Sequence, residues 1–131
     1  MYLMGFDVGG TKIESTLFRL EKEASLAKST ESFVCSHPVS GHLHGQVLAK
    51  LREPTERHKG YQAIVEKMVG LISSTLTTAG VDIKQLNGIG FGLPGSIDPK
   101  TFRMLNGNTM VLVNQDLLGD VRAKANLPAS I

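Results

Sequence analysis

At 131 residues, with 41% hydrophobic and 20% charged side chains, the chain has the size and balance of one soluble globular domain. A net charge of +2, its basic residues scattered among acidic ones, leaves no footprint for nucleic acid, and no apolar stretch approaches the roughly 20 residues a membrane span needs. The N-terminal apolar run lacks the basic region of a signal peptide, and a single cysteine, Cys35, fits a reducing, cytoplasmic setting.

The first predicted element is a hairpin. Residues 2–8 and 12–20 are apolar and β-branched runs on either side of Gly9-Gly10, so two strands joined at a tight turn are expected. The turn Asp7-Val8-Gly9-Gly10-Thr11-Lys12 also has the chemistry of an anion site. Glycines tolerate φ > 0, their backbone N–H groups can face a phosphate, Thr11 adds a hydroxyl, and Lys12 balances charge. Asp7 can hold Mg²⁺ or its waters beside that phosphate. On these residues alone an ordinary glycine hairpin explains the turn equally well.

Residues 21–45 are polar and mixed, which predicts an extended loop or an irregular pair of short strands. Cys35, His37, His42 and His44 fall within this stretch. They are zinc-ligand types, but their spacing fits no standard zinc module, so a solvated loop is the better reading. A third strand is expected over 46–52, closed by Pro54 and the charged run 56–59. Tyr61 to Ala79 then carries apolar residues at helical spacing, with Gly80 as a stop, and Gly70 inside the helix predicts close packing there.

Asn87 to Leu93 reads as a strand with Gly88, Gly90 and Gly92 on one face, a face that a neighbouring element can approach closely. Gly90 to Gly95 matches the dinucleotide fingerprint G-x-G-x-x-G letter for letter. The last glycine leads into a polar turn over 96–101 rather than opening a helix, so that reading is rejected. A short strand over 102–105 and a helix over 116–125 follow, and the next element, beginning near Ile131, is expected to be a strand. Asn106, Asn108 and Asn114 are amides able to bind sugar hydroxyls, though such residues are also common in loops.

Asp7 to Lys12, followed downstream by Gly88-Ile89-Gly90-Phe91-Gly92-Leu93-Pro94-Gly95-Ser96-Ile97-Asp98-Pro99, strongly resembles the ROK family of sugar kinases and sugar-responsive repressors. Leu51-Arg52-Glu53-Pro54-Thr55 and Leu105-Asn106-Gly107-Asn108 are similar to the family pattern as well, and Pro94-Gly95-Ser96-Ile97 is most similar to the fructokinase and mannokinase group. The resemblance implies an α/β chain with the actin-like, ribonuclease H-like ATPase fold. Residues 1–131 would be its N-terminal lobe, a mixed sheet with flanking helices that ends before the strand leading to the catalytic aspartate.

It further implies that Asp7, Gly9, Gly10, Thr11 and Lys12 bind ATP phosphates and Mg²⁺, and that Pro94, Gly95 and Asn108 line the sugar side. The expected base, the aspartate of an Asn-Asp motif, would lie beyond Ile131, as would the C-terminal lobe with the family's zinc site. ATP and a hexose are then the expected partners of an N-terminal part that does not turn over alone. Apolar surface that a second lobe would cover predicts self-association. The alternative is a non-catalytic sugar-sensing or transcriptional-regulator lobe; with six residues ahead of Asp7, a preceding DNA-binding domain is not expected.

Overall fold

A computed structural model describes residues 1–22, 32–37 and 41–127. Among these residues seven strands and two α-helices follow in order: β1 (Tyr2–Val8), β2 (Lys12–Glu21), β3 (Ser32–His37), β4 (Gly41–Pro54), α1 (Tyr61–Ala79), β5 (Leu86–Gly92), β6 (Gly95–Ile97), β7 (Met104–Gly107) and α2 (Leu117–Lys124). Five strands form one sheet in the order β3-β4-β2-β1-β5, while β6 and β7 make a separate hairpin. β1 runs parallel to β5 and antiparallel to β2, and the rest of the sheet is antiparallel.

The expected first hairpin is present, with Val8 opposite Ile13 at its mouth. Alternation along β1 and β2 sends Met4, Phe6, Val8, Ile13 and Leu17 into the core. Against them lies α1, whose stripe Ile64, Val65, Met68, Leu71, Ile72 and Leu76 is buried. Each such side chain contributes about 1.5–3 kcal/mol by leaving water. Ser15 of β2 and Thr75 of α1, both fully buried, share a hydroxyl–hydroxyl hydrogen bond of 2.6 Å within this apolar layer. At its C-terminus α1 stops as expected, because Gly80 adopts φ 66° and the next N–H, of Val81, bonds the Leu76 carbonyl. α2 is tied back to α1 by Tyr61 Oη donating to Asp120 at 2.5 Å and by Lys124 to Glu66 at 2.9 Å. Burial and then the Asp120 carboxylate push the Tyr61 hydroxyl pKa up, so it stays a donor. No helix among the described residues is long and apolar enough to cross a membrane.

Several expectations are corrected. β4 extends from Gly41 to Pro54, well beyond 46–52, because β2 and β3 pair with it on both sides and hold its ends in the ladder. Gly45 lies beneath Phe33: a β-carbon there would come within 2.2 Å of that ring, which meets Phe18 edge-on at 5.6 Å. The turn expected over 96–101 and the strand over 102–105 are displaced. Gly95–Ile97 pairs with Met104–Gly107, and Phe102 occupies the connecting turn at φ 57°. The strand expected near Ile131 lies outside the described residues.

Gly70 is exposed, and a β-carbon there would meet nothing within 4 Å, so close packing does not explain it. Gly70→Ala is expected to stabilise the fold by about 0.5–1 kcal/mol through lower backbone entropy in the unfolded chain and better helix propensity. A thermal melt that moves down instead of up contradicts this. The glycine face of β5 is likewise open at Gly90, where an added β-carbon meets nothing within 4 Å. A hollow of about 370 Å³, bordered by Leu3, Gly5, Phe18, Gly88 and Gly90, lies over it.

Candidate phosphate and sugar site

The parallel pair β1 and β5 ends with Asp7 in register with Gly92. Ligands of open α/β sheets bind beyond the carboxyl ends of such strands, where loops leave the sheet in different directions. Here the turn 9–12 leaves β1 and Pro94-Gly95 leaves β5. Asp7 is exposed at the edge, and a side chain at position 92 would bring its β-carbon to 4.0 Å from Asp7 Oδ1.

Three hydrogen bonds fix the turn. Gly9 N–H donates to the Lys12 carbonyl at 2.9 Å, Thr55 Oγ1 donates to the Gly9 carbonyl at 2.7 Å, and Thr55 N–H donates to the Thr11 carbonyl at 2.9 Å. The Gly9 N–H is thus consumed by the turn itself, whereas the N–H groups of Gly10 and Thr11 take part in none of these bonds. The glycines are also needed for a reason other than the expected one. Neither has a positive φ; a β-carbon on Gly9 would sit 2.9 Å from the Lys12 oxygen, and one on Gly10 would sit 3.3 Å from Thr109 Oγ1. Close approach, not left-handed backbone, selects them. The side chains of Thr11 and Lys12 are exposed, as an open site requires.

Glu14 lies across from Asp7 in β2. Hydrogen bonds from Arg52 at 2.6 and 2.8 Å, and then from Lys50 at 3.0 Å, hold its carboxyl below the ordinary range. Its charge is spent, whereas Asp7 stays exposed and uncommitted at the end of β1.

The residues expected on the sugar side come together through the β6–β7 hairpin. Gly95 pairs with Gly107, next to Asn108, and the Asn106 side-chain oxygen accepts the Ser96 N–H at 3.2 Å. A β-carbon on Gly95 would fall 1.8 Å from the Asn106 carbonyl oxygen, and one on Gly107 would fall 2.6 Å from that of Pro94, so both glycines are required by contact. Gly95 opens a strand and not a helix, in line with rejection of the dinucleotide fingerprint. Thr109 follows Asn108 and sits against Gly10, so the hairpin's exit adjoins the 9–12 turn.

Of the zinc-type residues, Cys35, His42 and His44 do not gather. In the β3–β4 register Cys35 faces Leu43, whereas His42 faces Ser36 and His44 faces Val34, so alternation puts Cys35 on the opposite sheet face from His42 and His44. His37 pairs with Gly41 in that register. Among the described residues no three His, Cys, Asp or Glu side chains form a group able to hold a metal ion.

Sequence reasoning missed Arg57 and Thr109, and quoted Thr55 only as part of a pattern. Arg57 rides on a short 3₁₀ turn, 57–59, behind Glu56, which is held by Lys67 at 2.8 Å and Lys59 at 3.0 Å. Lys67 also donates to the Pro54 carbonyl. These lysine hydrogen bonds, Lys67 first, depress the Glu56 carboxyl from 4.5 to about 2. A lowered folded-state pKa means that the brace contributes above the unfolded value and is lost as pH falls from about 4.5 to about 2. A carboxyl NMR titration of Glu56 with its midpoint near the ordinary value contradicts this. Nothing in the local pattern marks Arg57, whose Nη1 lies 3.6 Å from where a β-carbon on Gly10 would stand, a proximity that exists only after folding.

The fold is the actin-like ATPase fold of ROK sugar kinases, present over about a third of their length. The chain is 20% identical to a ROK hexokinase from Thermus thermophilus, at a TM-score of 0.65, and covers 98% of its own length and 33% of that structure. For a ROK family glucokinase from Streptomyces griseus, solved with glucose and AMPPNP, the values are 19%, 0.64, 98% and 31%. In sequence the chain is 30% identical over 120 residues to an N-acetyl-D-glucosamine kinase from Aliivibrio fischeri, spanning 92% of this chain and 30% of that relative. No protein-family model matches. The resemblance to ROK sugar kinases read from the motifs is thus met in both sequence and fold.

Proposed function

We propose that residues 1–131 are the N-terminal lobe of a ROK sugar kinase that transfers the γ-phosphoryl group of ATP to a hexose hydroxyl. The observation that carries this reading is the meeting, at one sheet edge, of the Asp7 to Lys12 turn with the hairpin bearing Pro94, Gly95 and Asn108. Gly10 and Thr11 offer N–H groups to the phosphates, Thr11 a hydroxyl and Lys12 a charge; Pro94, Gly95 and Asn108 border the sugar. Mg²⁺ takes one or two carboxylates together with phosphate oxygens and water. Asp7 fits that need, being exposed beside the turn while Glu14 is committed to Arg52 and Lys50. When bound, the ion supplies positive charge to the phosphates.

Phosphoryl transfer depends on positioning and electrostatics plus a base for the attacking hydroxyl. In this reading the base, an aspartate of an Asn-Asp motif, and the second lobe belong to sequence beyond Ile131, and the family's zinc site belongs to that lobe. The acceptor is a hexose of the fructose, mannose, glucose or N-acetylglucosamine type, and the setting is cytoplasmic. Exposed Phe102, Leu105 and Met110 support self-association.

A coupled assay tests the division of labour. The chain alone is expected to show no hexose-dependent ADP formation, while hexose titrations shift the Gly95 and Asn108 amides. Turnover near the 1–100 s⁻¹ of ordinary kinases contradicts the placement of the base, at about that magnitude.

A further inference from the structure

The residue that shapes the 9–12 turn comes from outside it. Thr55, directly after β4, is 1% exposed and gives both of its donors to the turn: the hydroxyl to the Gly9 carbonyl at 2.7 Å and the N–H to the Thr11 carbonyl at 2.9 Å. Each bond fixes more than one atom. A trans peptide unit is planar, with its N–H opposed to its C=O, so holding the Gly9 carbonyl also turns the Gly10 N–H away from Thr55. Holding the Thr11 carbonyl fixes the 11–12 unit in the same way. The unit between them, which carries the Thr11 N–H, is bracketed by two fixed neighbours. Two adjacent glycines give a turn the widest choice of backbone states, so this restraint has to come from elsewhere in the chain.

Thr55 is itself held from both sides. Lys67 of α1, whose side chain is 11% exposed, donates to the Pro54 carbonyl and, at 2.8 Å, to the Glu56 carboxylate. Pro54 also pairs with Lys12 across β2 and β4. Helix and sheet together therefore set the place of the Thr55 hydroxyl.

We propose that Thr55 is a positioning residue that aims the Gly10 and Thr11 N–H groups, so that its hydroxyl sets how tightly the turn holds its ligand. The inference rests on the kinase reading for what the turn binds and adds a residue which that reading does not use. Thr55 touches no ligand; it acts through the peptide units it grips. Groups that bind by position lose affinity when their orientation is released, even where the fold survives.

Order parameters of the wild-type chain test the clamp before any substitution. Gly10 and Thr11 are expected near about 0.85, the value of rigid backbone, and values below about 0.6 overturn it. Thr55→Val keeps the shape and removes the donor, so residual dipolar couplings of the Gly10 N–H are expected to change, and Thr55→Ser to restore them. Thr75→Val is the matched control: it deletes a buried hydroxyl from the pair with Ser15 and leaves the Gly10 couplings as in the wild type. In titrations with Mg·AMPPNP, Thr55→Val is expected to bind about tenfold more weakly, the effect of about one hydrogen bond. Thr55→Ser recovers most of that loss, and Thr75→Val binds as the wild type does. Unchanged Gly10 couplings or wild-type affinity in Thr55→Val, or an equal loss of affinity in Thr75→Val, overturn the positioning role and leave the kinase reading standing. A wild-type turn that is rigid yet silent toward Mg·AMPPNP overturns the kinase reading and, with it, the part of Thr55 in binding.

Discussion

Gly95→Ala is expected to open the β6–β7 hairpin and erase the hexose response at Asn108. The added methyl carbon would lie 1.8 Å from the Asn106 carbonyl oxygen, 2.8 Å from its carbon and 3.1 Å from Gly107 Cα. All three are backbone atoms, so no rotamer change relieves the contact, and Gly107 is itself pressed against the Pro94 carbonyl. Overpacking of this kind costs about 1–3 kcal/mol and more when backbone must move. Because β6 has three residues and its partner four, the hairpin has little pairing to absorb that cost. Hydrogen exchange at the hairpin amides is expected to accelerate while the five-stranded sheet stays protected. Gly90→Ala is the matched control, since its β-carbon meets nothing within 4 Å. Equal exchange in the two variants contradicts the assignment of Gly95 to a contact-limited site.

Ile13→Ala is expected to lower stability by about 2–5 kcal/mol, the range for removing an isoleucine from a packed core. Ile13 is fully buried, pairs with Val8 across the hairpin mouth, and belongs to the core that also includes Met68 and Leu71 of α1. At this chain length each kcal/mol lowers the thermal midpoint by about 4 °C, so a drop on the order of 10 °C is expected in a melt. The turn 9–12 leads directly into this residue, so phosphate-ligand affinity is expected to fall with stability. A midpoint within a degree or two of wild type contradicts the placement of Ile13 in the packed core.

Much of this was legible because it is local. The helix at Tyr61–Ala79 announces itself through a wide apolar stripe and a terminal Gly80, and both strands of the first hairpin alternate cleanly. β4 was foreshortened because pairing from two neighbours, not its own composition, carries it across Gly41, Gly45 and Pro54. Residues 96–101 read as a turn because Ser96-Ile97 carries no strand pattern of its own; pairing of Gly95–Ile97 with Met104–Gly107 makes the strand. The same limit governs the site. Gly9 and Gly10 were visible as glycines, but the cause of their presence is a carbonyl at Lys12 and a hydroxyl at Thr109, and the second of these arrives through the tertiary fold. Gly70 shows the opposite case, a glycine whose sequence position suggested a packing role that no described neighbour supplies.

If the β1 turn forms one wall of a nucleotide site, amide mapping with Mg²⁺ and a non-hydrolysable ATP analogue gives Mg²⁺-dependent shifts centred on Asp7 to Lys12 that are lost in Asp7→Asn, with the β3–β4 edge unmoved. A folded chain whose residues 7–12 stay silent, or respond equally with and without Mg²⁺, contradicts it.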